Sequence, residues 1–140
     1  MVSGIVICVL LVLFLRPSNP VLIRTLLVAS GATVANALIA VFAAKRGLWT
    51  VRGAWPVAGY PLSMMIAWFF LVAGFCLALD RLSFGWSQAA FVALAGFGGA
   101  TWDLRVHRFA GILVLDRARS WQVVLYWISM AFAAAVVFLL

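Results

Sequence analysis

The chain has 140 residues, of which 68% are hydrophobic and 9% charged, with a formal net charge of +7. Soluble domains run about 45–50% apolar and about 25% charged, so this composition, with a mean hydropathy of +1.22, excludes a water-soluble globule. It specifies an all-α integral membrane helical bundle, one polytopic domain over residues 1–140. The basic residues collect at the ends of apolar runs, where they anchor to headgroups; no basic stripe persists on a soluble segment, which argues against nucleic acid as a partner.

A membrane-crossing helix needs about 20 residues at about 1.5 Å each. The spacing predicts about five transmembrane helices. The first, residues 2–15, has the length of a signal peptide but lacks a basic leader and a small-residue cleavage site, so it reads as a short membrane segment. The second covers residues 21–44, with Arg24 snorkelling at its start. Asn36 lies near its middle, beside Ser30, Gly31 and Thr33. A buried amide in hydrocarbon seeks a partner on another helix or on a ligand. The connection from Gly47 to Tyr60 is rich in glycine and aromatic residues, including Trp49 and Tyr60, and suits a flap over a ligand.

The third span is 61–79, with Pro61 in its first turn and Trp68 deep inside. The fourth, 83–102, carries two small-residue pairs four apart, Ala95 with Gly99 and Gly96 with Ala100, that let backbones approach closely. These pairs suggest a central helix. Residues 105–120 are mixed and read as an interfacial or re-entrant segment. The fifth span is 121–140. Cys8 and Cys76 fall inside apolar runs and read as small core residues, with neither a disulfide framework nor zinc spacing.

Charge sets the expected orientation. Lys45, Arg46, Arg52, Arg105, Arg108, Arg117 and Arg119 fall on one side, and Arg16, Arg24 and Arg81 on the other. Seven against three places the first group in the cytoplasm of a multi-pass cell-membrane protein. The N-terminus is then inside and the C-terminus outside.

Chemistry, if present, begins at Asp103. The chain has only three acidic residues, all aspartates. An acid at the end of a membrane helix has to be solvated, paired or used. At a helix C-terminus it also opposes the macrodipole, which a salt bridge to Arg52, Arg105 or Arg108 would explain. His107, four residues on, shares its face if the helix continues. Trp102 precedes the pair. One histidine and scattered aspartates do not make a metal site, and no cofactor fingerprint is present.

Two stretches carry a family resemblance. Tyr60-Pro61-Leu62-Ser63-Met64-Met65-Ile66-Ala67-Trp68-Phe69-Phe70 is similar to a "PLS…WF" helix, and Thr101-Trp102-Asp103-Leu104-Arg105-Val106-His107-Arg108 resembles a "VWDLVLDP" segment. Both belong to an integral-membrane carotenoid-biosynthesis family that includes bisanhydrobacterioruberin hydratase and the carotene 1′,2′-hydratases. Gly47-Leu48-Trp49-Thr50 resembles the "TGLW" element ahead of them. The resemblance spans roughly residues 47–108, as in a short, divergent member. His107 and Arg108 replace the family's second acid and proline, and the chain has no glutamate.

The resemblance implies a long isoprenoid or carotenoid substrate, acid-catalysed addition of water to its terminal double bond, and no cofactor. Asp103 would be the acid and His107 a proton carrier. Trp49, Tyr60, Trp68, Trp102 and Asn36 would bind the substrate, with membrane lipid around them. Two other readings stay open. One is a non-enzymatic scaffold or lipid-binding subunit, partnered with a second copy or another membrane protein. The other is a small transporter, against which the lack of a deep acid or base argues.

Overall fold

The computed structural model describes residues 2–53, 55–57, 60–82, 85–115 and 120–140, with the backbone alone at 2–4, 7, 8, 11 and 115. Among these residues the fold is all-α, with five helices: α1 (Val2–Leu15), α2 (Asn19–Lys45), α3 (Leu62–Asp80), α4 (Trp86–Trp102) and α5 (Ser120–Leu139). Short strands β1 (Trp49–Val51), β2 (Pro56–Val57), β3 (Tyr60–Pro61) and β4 (Leu113–Leu115) lie in the connections. Three helices, α2, α3 and α5, are long and apolar enough to cross a membrane. At 14 residues, α1 is about 21 Å long, short of an about 30 Å hydrocarbon core.

Each helix runs opposite to the one before it. The Arg81 guanidinium, just past α3, donates to the Leu15 carbonyl at the end of α1. Arg24, in the first turns of α2, donates from Nη1 to the Phe138 carbonyl near the end of α5 at 3.1 Å. Gln88 at the start of α4 donates to the Leu82 carbonyl at 3.3 Å. These bonds gather one end of the bundle. The main core lies toward that end, where Val28 and Ala29 of α2 meet Val72, Ala73, Cys76 and Leu77 of α3 and Ala134, Ala135 and Phe138 of α5. Leu13, Phe14, Leu27, Leu38, Leu94 and Phe132 point outward, a surface that hydrocarbon solvates and water does not.

At the opposite end, two helices stop by the same device. After α2, Gly47 turns into the left-handed region (φ 64°). The Gly47 N–H then bonds the Ala44 carbonyl and the Leu48 N–H bonds the Ala43 carbonyl. Past α4, Gly111 (φ 69°) does the same, with bonds from Gly111 to Arg108 and from Ile112 to His107. This is the Schellman closure, which glycine favours because it has no Cβ. Each closure delivers the chain into a strand. β1 and β4 pair antiparallel, Thr50 opposite Val114, so the second and fourth connections meet at one end of the bundle.

Several sequence expectations are corrected. The mixed stretch 105–120 is partly helix and partly strand. The helix of α4 continues as a π-helical turn over Asp103–His107, and the chain then forms β4; residues 116–119 lie outside the described ones, as do Arg117 and Arg119 of the charge argument. Among the described residues α4 is not central. It lies along α5 and meets α3 only sparsely, while α3 sits between α1 and α2. The close approach read from its glycines is real, but its partner is α5: a Cβ on Gly96 would stand 3.0 Å from the Ile128 backbone. The start of the fourth span (83–84) and the Cys8 side chain lie outside the description. Cys76 is a buried free thiol.

Candidate functional site

The small contact between α3 and α4 leaves room for a cavity. It measures about 690 Å³ and is walled mainly by apolar and aromatic side chains of α2, α3, α4 and α5, with β1 and β4 across one end. That size is ordinary for a small-molecule site. All seven residues singled out from the sequence (Asn36, Trp49, Tyr60, Trp68, Trp102, Asp103 and His107) line it.

The π-helical turn explains why Asp103 tolerates its position. Asp103 is not a helix end, because the helical backbone runs on through His107, closed by an Arg108 N–H to Asp103 carbonyl bond. A π turn widens the local spacing and recurs at functional sites. Here it sets His107 Nδ1 2.6 Å from Asp103 Oδ1. The other carboxylate oxygen, Oδ2, accepts the indole N–H of Trp127 on α5 at 2.6 Å. Among the described residues no arginine pairs with Asp103; the expected partners Arg52, Arg105 and Arg108 are replaced by an imidazole and an indole.

The proton positions follow from chemistry. An indole nitrogen only donates. Trp102 Nε1 lies 3.1 Å from His107 Nε2, so Nε2 accepts and the neutral ring carries its hydrogen on Nδ1. That hydrogen points at Asp103. Both Asp103 oxygens are therefore acceptors, and the carboxylate holds the imidazole in one tautomer and one orientation. The pair is half-buried, with side-chain exposures of 18% for Asp103 and 27% for His107. Trp102 is 56% exposed and covers the outer nitrogen.

A second polar group faces the same cavity. Asn36 Nδ2 donates to the Tyr60 hydroxyl at 2.8 Å, and the Tyr126 hydroxyl donates to Asn36 Oδ1. Both Asn36 (3% exposed) and Tyr60 (4%) are buried. Burial pushes the Tyr60 phenol up to about 12, with the Asp103 carboxylate adding to the shift and the Asn36 bond opposing it. Between the two polar groups lies an aromatic cluster. Trp68 stacks on Trp127 with ring centroids 4.7 Å apart, and Tyr126 meets Trp68 edge-on at 6.0 Å. Trp49, on β1, approaches Tyr126 at 6.0 Å.

Sequence reasoning missed Tyr126 and Trp127. Trp127 reads from sequence only as a deep residue that packs or faces lipid. A signal was present: both side chains carry a polar tip in the middle of an apolar helix, and such tips find a partner when buried. Among the described residues no group of three His, Cys, Asp or Glu side chains could hold a metal.

No family model matches the chain, and neither a curated protein nor a solved structure matches it. The fold and cavity define it as an all-α protein with apolar helices compatible with a membrane.

Proposed function

We propose that the protein is a multi-pass cell-membrane protein that holds the end of a long isoprenoid or carotenoid in this cavity and adds water to its terminal double bond. The observation that carries the reading is the meeting, on one apolar cavity, of the single histidine, its bonded aspartate and a stacked aromatic wall. Residues far apart in sequence converge there, and α3 and α4, which meet only sparsely, both wall the cavity.

The chemistry has two proton steps. Protonation of the alkene carbon C2 breaks the π bond and leaves a tertiary cation at C1. Water then adds to C1 and releases a proton, so the net change is one water gained. Asp103 and His107 act as one proton-handling pair. When Trp102 swings away, His107 Nε2 can carry the proton in and out, and the Asp103 carboxylate offsets the imidazolium charge. The faces of Trp68 and Tyr126 suit a transient carbocation, since aromatic quadrupoles attract positive charge. No cofactor is needed. The more basic end, with Lys45, Arg46, Arg52, Arg105 and Arg108, would face the cytoplasm, giving an inside N-terminus and an outside C-terminus.

One observation favours a second reading. The Trp127–Asp103 bond ties α4 to α5, so the carboxylate also has structural work. A non-enzymatic lipid-binding subunit, assembled with a second copy or another membrane protein, would need it for that alone. Turnover of lycopene-type substrates by purified wild type and Asp103→Asn separates the two. Loss of about 100-fold or more in rate, the usual share of general acid–base catalysis, with retained polyene binding supports the hydratase. Equal rates in both proteins remove Asp103 from the chemistry, and polyene binding without turnover leaves the subunit.

A further inference from the structure

The cavity wall carries one formal charge, and it is negative. Among the described residues that line it there is no lysine or arginine, and Asp103 is the lone acid. The Trp127 indole and the neutral His107 ring give the carboxylate hydrogens but no positive charge. A second proton on His107 would have to displace the Trp102 indole from Nε2. Arg52 and Arg105 are exposed and Arg108 is half-buried. None of the three lines the cavity, and solvent screens charge outside it beyond about 8 Å. The charge of Asp103 acts inward, where it adds to the rise of the Tyr60 phenol.

The rest of the wall has the same electrostatic sign. Trp49 and Trp68 meet Tyr126, Trp68 stacks on Trp127, and Trp127 is bonded to Asp103. Aromatic rings therefore run from the middle of the cavity to the carboxylate, and ring faces carry negative potential. A half-buried carboxylate held by neutral donors, beside such a wall, favours a cation. Desolvation selects the kind of cation. A primary ammonium is strongly hydrated and loses that water at a large cost in an apolar cavity. A quaternary ammonium spreads its charge over alkyl groups and suits an aromatic cage. We propose that the cavity binds an amphiphilic organic cation, a quaternary ammonium whose head lies among the Trp68, Tyr126 and Trp127 rings beside Asp103. This goes beyond hydration, since it needs the cavity but neither a polyene nor turnover.

Benzyltrimethylammonium and neopentylbenzene test this, because they share one shape and differ by a cationic nitrogen against a carbon. Both are titrated in maltoside detergent into wild type and Asp103→Asn, and binding is read from the indole N–H signals in ¹H–¹⁵N spectra. In wild type the ammonium should move the Trp127 signal saturably. It should leave in place the signal of Trp86, which is 91% exposed at the far end of α4. Trp127→Phe and Trp86→Phe identify the two signals, and this reading needs no Asp103 variant. The preference for the ammonium over its isostere should fall about 10-fold or more from wild type to Asp103→Asn, as for a close charge pair. Partition of the isostere into micelles, and any loosening of the fold felt by both probes, cancel in that comparison. Dihexanoylphosphatidylcholine below its micelle concentration separates two sources of the same head: displacement of the ammonium assigns the site to a lipid headgroup, and no displacement to a free cation. An equal preference in the two proteins, or a Trp127 signal that moves no more than that of Trp86, overturns the cation site. Polyene turnover is measured apart from these titrations, so the failure of one reading is not the failure of the other.

Discussion

Replacing Gly99 by alanine asks one methyl group to test the packing that positions the site. A Cβ at Gly99 would overlap Cε3, Cζ3 and Cδ2 of the Trp127 ring, so something must move. The indole has little freedom. Trp68 stacks on it, and its N–H is bonded to Asp103. Overpacking of this kind costs about 1–3 kcal/mol. If the ring tilts to escape, it also forfeits a hydrogen bond to a charged group, worth about 1.5–3 kcal/mol. Gly99→Ala should therefore destabilise the protein by about 3 kcal/mol or more. The neighbouring Gly98→Ala is the control, because a Cβ there meets nothing within 4 Å. It should be neutral or gain up to about 1 kcal/mol from helix propensity. Thermal unfolding of the two variants in the same detergent, followed by circular dichroism, gives the comparison. Equal melting temperatures would refute the α4–α5 approach and the seat of Trp127 with it.

Other expectations follow from single contacts. Tyr60 is neutral and buried, with its phenol raised from 10.0 to about 12. A group whose folded value is raised stabilises the fold fully below its unfolded value, and that share is lost as pH climbs from 10 to 12. Two units at about 1.36 kcal/mol each come to about 3 kcal/mol at most, and Tyr60→Phe should make the decline over that alkaline window shallower by that share; an unchanged alkaline profile contradicts the burial. Trp102→Phe removes the indole donor from His107 Nε2. Because Trp102 is largely exposed, the cost in stability should stay under about 1 kcal/mol, while the His107 ring nitrogen signal in ¹⁵N spectra should move. An unmoved signal denies the bond. Arg24→Ala deletes a donor to the Phe138 carbonyl and should cost about 0.5–1.5 kcal/mol, with hydrogen exchange rising first at the end of α5. Uniform exchange would deny that this contact joins the helices.

The helices were legible because apolar length is a strong signal in a membrane chain. The readings 21–44, 61–79 and 121–140 lie within about two residues of α2, α3 and α5, and residues 2–15 match α1. The strands were not legible. β1 and β4 have three residues each, too few to display an alternation, and they exist because two glycine-closed helices deliver them side by side. The i,i+4 relation of Asp103 and His107 was readable, whereas the π turn that shapes it was not, since nothing in Asp103-Leu104-Arg105-Val106-His107 departs from ordinary helical composition. The central place expected for α4 failed for a related reason. Small residues announce that something comes close but not which helix, and here Gly96 and Gly99 serve α5. Trp127 became a site residue only through that contact, which no local pattern in α5 encodes.

In the proposed function an isoprenoid chain lies between α3 and α4, against the Asp103–His107 pair. Photo-crosslinking with a diazirine-bearing isoprenoid, followed by mass-spectrometric mapping, measures this directly. Label is expected on the facing cavity residues Trp68 and Phe75 of α3 and Phe91 and Ala95 of α4, competed away by unlabelled polyene. Label confined to the outward residues Leu94, Phe97 and Leu125, and not competed, would contradict it.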